Sequence, residues 1–237
     1  LSGSKKVYKI LLGEALLMIL TLGIGGWLSN TNYPQNNNPN ENELVLSITG
    51  MNDPGKPNMH KLIWDYVPDG TFLGLLILAT FLYAKGVIVL SKRRDKWPKG
   101  RLISWIIGIA LADYATSGGI GVYSHFTFGY HMLSHMILGM VAPIFFVLSA
   151  PITLALRTLP QGRDADERGI RGLLLSAMHS RYITTLSHPV VALFIFDGSL
   201  FALYLTPLFG HLMQGHTGHL FMDIHFILSG ALFYHVI

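Results

Sequence analysis

The chain has 237 residues, of which 51% are apolar and only 13% charged, and its mean hydropathy is +0.44. A soluble domain carries about 25% charge, so this composition argues against a water-covered globule. The formal net charge is +4 with 17 Lys+Arg, gathered in short clusters between long apolar runs; that pattern excludes a nucleic-acid face and reads as membrane topology.

There is no Cys. Disulfides, thiolate metal sites, iron–sulfur clusters and Cys nucleophiles are therefore excluded, and any metal must be held by His, Met, Asp or Glu. A helix crossing a hydrocarbon core of about 30 Å needs roughly 20 apolar residues. Six stretches meet that need, at residues 10–28, 71–90, 102–123, 131–156, 188–209 and 219–237. The expected fold is all-α: a polytopic integral membrane helical bundle with six transmembrane helices. The first residue is Leu, and the sequence stops inside an apolar run, so we expect a piece of a longer protein.

Basic residues orient the bundle. Lys5, Lys6 and Lys9 precede the first span. Lys92, Arg93, Arg94, Lys96, Lys99 and Arg101 follow the second, and Arg157, Arg163, Arg168, Arg171 and Arg181 follow the fourth. Fourteen of the 17 thus fall on one side, which is expected to be cytoplasmic together with the N-terminal end. The long connection at 29–70 begins with an Asn-rich run, NTNYPQNNNPNENE, and reads as a linker. The expected organisation is a first helix at 1–28, an extracytoplasmic linker at 29–61 and a membrane domain at 62–237. Residues 172–187 are too short and too polar to span, and an interfacial amphipathic helix is expected there.

The 11 His are unevenly placed. Eight of them (His60, His125, His131, His135, His211, His216, His219 and His225) fall on the outer side of this topology, against His179, His188 and His235 within. In the run HMLSHM, His131 and His135 are four apart and share a helix face, so they can converge on one ion. Met132 and Met136 repeat the spacing about 100° around. Imidazole with thioether suits copper, Cu(I) above all, with zinc second. Further on, His219 and Asp223 form another such pair, flanked by His216, Met222 and His225. The alternative for these histidines is a solvated place at the membrane interface.

Asp113 and Asp197 are expected about halfway along the third and fifth spans. A carboxylate at that depth is costly, which makes each a candidate ion relay, or else a protonated Asp bonded between helices. Pro143 and Pro151 are expected to break the fourth helix.

The run FGYHMLSHMILGMVAPIFFVLSAPITLALRTLP resembles the signature of the CtaG-type cytochrome c oxidase assembly factors of caa-type oxidases. WPKGRLISWIIGIAL, SHPVVALFIF and MDIHFILSGALF extend the resemblance in the same order over residues 62–237. Ser149 stands where the family pattern has Gly, and Asp223 where it has a less acidic residue. The first helix resembles the last helix of CopD-type copper-resistance membrane proteins, and a CopD–CtaG fusion would account for the linker. The resemblance implies a bacterial plasma-membrane assembly factor that is not an enzyme. Its expected partners are the lipid bilayer, haem–copper oxidase subunits and a copper chaperone. With the His/Met pattern, the reading is capture and delivery of Cu(I) at an extracytoplasmic site. A b-type haem redox protein, a metal-free scaffold and a copper transporter remain open as alternatives.

Overall fold

A computed structural model describes residue 46 and residues 51–160, 169–212 and 216–237. The expected first span, the CopD-like segment 1–28 and most of the Asn-rich linker lie outside the described residues, as do Arg163 and Arg168. Among the described residues all regular structure is helical, with one isolated bridge between Tyr66 and Gly118.

A short α1 (Met59–Trp64) leads to α2 (Gly70–Lys92). Asp69 caps α2, its carboxylate accepting from the amides of Thr71 and Phe72 at 3.0 Å each, so two otherwise orphaned donors are satisfied. Ile77, Leu78, Phe81 and Leu82 are all exposed along it. A contiguous apolar surface of that kind suits lipid, not water.

The third helix is shorter than expected. α3 (Lys99–Thr116) stops at Ser117, and a separate α4 (Gly119–Ser124) follows. The break at Ser117-Gly118-Gly119 lets α1 press on the chain: a Cβ at Gly119 would overlap the Leu62 carbonyl. Asp113 is therefore in the last turn of α3, not halfway along a span, and accepts a hydrogen bond from the Tyr66 hydroxyl at 3.2 Å.

The fourth expected span is one long run with two interruptions. α5 (Phe128–Met136) passes into a π-helical turn (Ile137–Val141), then α6 (Ala142–Leu148) and α7 (Pro151–Thr158). Pro143 has no amide hydrogen for the Gly139 carbonyl four residues earlier, and the backbone widens at that point. Ala150 then takes a left-handed conformation at φ 50°, which costs about 1 kcal/mol and turns the chain into α7. Both prolines thus break the helix as expected.

α8 (Ile170–Met178) and α9 (Arg181–Leu186) are two short exposed helices where one interfacial helix was expected. His179 closes the first, and Ser180 caps the second, accepting from the Ile183 amide. α10 (Pro189–Tyr204) is followed by a distinct α11 (Leu208–Leu212) and then α12 (His216–Val236). α6 packs on α3, and α12 packs on the π turn, α6 and α10, while α7 rests on α2. The broken helix is thus central. Gly230 of α12 meets the widened turn so closely that a Cβ there would overlap the Gly139 carbonyl.

Among the described residues two runs are long and apolar enough to cross a membrane, Gly70–Lys92 and Phe128–Thr158. The six-span expectation is finer than this. α3 carries Lys99, Arg101 and Asp113, α10 has only 16 residues, and α12 begins with three His and an Asp. Asp197 lies mid-way along α10 and is exposed, as are Phe194 and Leu193.

Candidate metal centre

His131 and His135 share the inner face of α5, and His219 and Asp223 share the inner face of α12. Each pair is one helical turn apart. Docking α12 against the π turn brings the two pairs together. Ligating nitrogens of His131, His135 and His219 lie within 4.8 Å of one another. The Asp223 carboxylate stands 3.6 Å from His135 Nε2 and 3.4 Å from His219 Nδ1.

All four side chains are deep inside. Relative exposures are 1% for His131, 2% for His135, 7% for His219 and 0% for Asp223. Yet both nitrogens of His131, Nε2 of His135, Nε2 of His219 and both Asp223 oxygens have no hydrogen-bond partner. Burying an unpaired polar group costs about 1–3 kcal/mol, more for a charge. A cation among them would satisfy several of these atoms at once. The spacings agree: a charge-assisted hydrogen bond is about 2.7–2.9 Å, whereas ligands sharing a tetrahedral ion at about 2.1 Å sit about 3.4 Å apart. Three imidazoles and a carboxylate suit copper, zinc or another imidazole-binding transition metal.

Supporting contacts orient the donors. The His135 Nδ1 is 2.7 Å from the Tyr204 hydroxyl on α10, leaving Nε2 turned to Asp223. Phe209 lies edge-on to His131, with ring centroids 5.1 Å apart, and Phe226 covers His135 at 4.5 Å, so apolar rings seal the cluster.

The other expected ligands are placed differently. Met222 packs in the apolar core with Leu138 and Phe226. Met132 and Met136, one residue round from the histidines, are half-buried. His225 stacks on Phe221 with ring centroids 6.2 Å apart, and it is not among the grouped histidines. His216 begins α12, and its side chain lies outside the described residues.

Two further residues lie beside these four. Tyr204 carries no local sequence signal, since only the packing of α10 brings it to His135. His125 ends α4, half-buried, with its ring centroid 4.7 Å from that of His219. Its Nδ1 lies 2.9 Å from the Gly121 carbonyl. A carbonyl cannot donate, so Nδ1 carries the proton and Nε2 keeps its lone pair. Burial, and next the His219 ring, hold this imidazole below the usual histidine range, which favours the neutral, ligating form. The sequence signal was its place among the outer histidines, six residues before His131.

The family described as cytochrome c oxidase caa3 assembly factor has a model that matches residues 81–237. Similar curated proteins include uncharacterised proteins of Mycobacterium bovis and Mycobacterium tuberculosis, each 43% identical over 152 residues, or 64% of this chain and 23% of theirs. An uncharacterised protein of Mycobacterium leprae is 37% identical over 181 residues, 76% of this chain and 28% of that one. The chain thus spans about a quarter of the length of these relatives. No solved structure matches.

Proposed function

The chain belongs to the cytochrome c oxidase caa3 assembly factor family, and on that premise we propose that it handles copper during assembly of a haem–copper oxidase. The family is one of assembly factors, not of enzymes. The observation that carries the copper reading is the buried set of His131, His135, His219 and Asp223, in which both His131 nitrogens, Nε2 of His135 and of His219 and both Asp223 oxygens have no hydrogen-bond partner.

Copper is cargo in this reading. It is taken up on the extracytoplasmic side of the bacterial plasma membrane, held by the three imidazoles and Asp223, and passed to an oxidase subunit or received from a copper chaperone by ligand exchange. No covalent step is required. In this reading the protein is multi-pass, and the Lys and Arg distribution supports placing the basic connections in the cytoplasm. The nitrogen and oxygen donors accommodate either oxidation state, and Cu(I) transfer draws on Met132 and Met136 only if those thioethers turn inward on exchange. A CopD-like preceding domain would supply copper in the same chain. A metal-free scaffold is the competing reading.

The test is metal analysis of the whole protein, purified from membranes after anaerobic Cu(I) loading, beside a His131→Ala/His135→Ala variant. Near-stoichiometric copper that falls in the variant is expected. Copper absent from both would leave the scaffold.

A further inference from the structure

The proposed copper site is closed to water, yet a delivery protein must load and unload. Its four residues are at most 7% exposed, and aromatic rings lie against His131 and His135. An ion stripped of water needs a ligand at every stage of its passage, because each lost hydration contact must be replaced. His125 is the imidazole that reaches from this cluster toward the outside. It is half-buried where the others are buried, its ring lies against that of His219, and its Nδ1 is tied back to Gly121 on its own helix.

That tether fixes more than the tautomer. The short α4 is itself pinned, since Gly119 sits against the Leu62 carbonyl and Gly121 against Thr116. His125 is therefore held at the end of a closely packed helix, half-buried and one ring away from His219. His219 is the least buried of the cluster and the one whose Nδ1 faces Asp223.

We infer that His125 is the exchange ligand of the site: it binds the copper ion in transit, between the outer face and His219, and is not part of the resident set. The inference rests on the copper reading above and adds a route and a kinetic role to it. His125 Nε2 takes the ion from the donor, His219 draws it inward, and release reverses the order. The ion's charge and oxidation state do not change.

The experiment loads the whole protein with Cu(I) in detergent and follows transfer to an excess of a chromogenic Cu(I) chelator by stopped flow. Equilibrium copper content is measured in parallel. His125→Ala is expected to keep wild-type stoichiometry while transfer slows at least about tenfold, and added free imidazole is expected to restore the rate. His125→Gln, which can still donate to Gly121, keeps α4 in place if the Ala variant misfolds, and is expected to be equally slow. Wild-type rates in both variants would overturn the inference and leave the copper site standing. Loss of bound copper from a folded variant would also overturn it, by making His125 a resident ligand. A wild-type protein that holds no copper would overturn the copper reading and this one with it.

Discussion

Two polar clusters lie at opposite ends of the bundle, and they differ in how their polar groups are paired. At the basic end, the Tyr83 hydroxyl accepts from Trp97 Nε1 at 3.0 Å and donates to the Ser149 carbonyl at 3.0 Å. Tyr83 also stacks on Trp105 at 4.3 Å, Arg101 lies over Trp97, and Arg93 donates to the Arg157 carbonyl. Trp105 Nε1 is the one unpartnered atom recorded among these side chains. At the other end, His131, His135, His219 and Asp223 are all buried, where Trp97 and Arg101 are half-buried and Arg93 exposed, and most of their polar atoms have no hydrogen-bond partner. A satisfied network fixes a turn; an unsatisfied one of converging donors reserves room for a guest. The first cluster thus holds the strained Ala150 bend, and the second is the one to which function is assigned.

The comparison can be broken by substitution. Replacing Asp223 with Asn removes the anionic donor, and copper affinity is expected to fall about 100-fold, read by chelator competition. An unchanged affinity would make Asp223 a bystander and reduce the site to three imidazoles. Tyr83→Phe should do the reverse. It strips the hydroxyl from Trp97 and Ser149 and is expected to cost about 2 kcal/mol of stability, seen in thermal unfolding, with copper content unchanged. Copper loss there would show that the two ends are coupled.

Tyr204→Phe sharpens the outer end. The His135 ring loses its orienting partner, and affinity is expected to drop about tenfold with the protein still folded in gel filtration. The smallest effect belongs to the surface. Arg157 and Asp95 are 3.5 Å apart and both part-exposed, so Arg157→Ala is expected to change stability by no more than about 0.5 kcal/mol. A large loss would mean that the Arg157 side chain does more at the bend than pair with Asp95.

Much of the site was legible as pairs and not as a set. The spacing of His131 and His135 and that of His219 and Asp223 each follow from helical periodicity alone. That the two pairs face each other follows from the approach of Gly230 to Gly139, a tertiary fact with no local signature. Met222, three residues after His219, suits a ligand by spacing, but the apolar core claims it. The depth expected for Asp113 rests on a helix running on through Ser117-Gly118-Gly119, where the chain instead breaks. Tyr204 was invisible because nothing near it in sequence distinguishes it from the other aromatic residues. The breaks at Pro143 and Pro151 were legible because proline acts on the backbone regardless of context.

The π turn at 137–141 also works as a phase setting for the chemistry. One residue more or fewer in a helix rotates everything before it by about 100° relative to everything after. With α6 and the π turn held in place, deleting one residue between His135 and the turn would bring Tyr130 and Ser134 into the places of His131 and His135. A one-residue insertion would bring Met132 and Met136 there instead. The same scaffold would then present a phenol and an alcohol, two imidazoles, or two thioethers to Asp223, so the donor set offered at this cluster is one codon away from changing without any substitution.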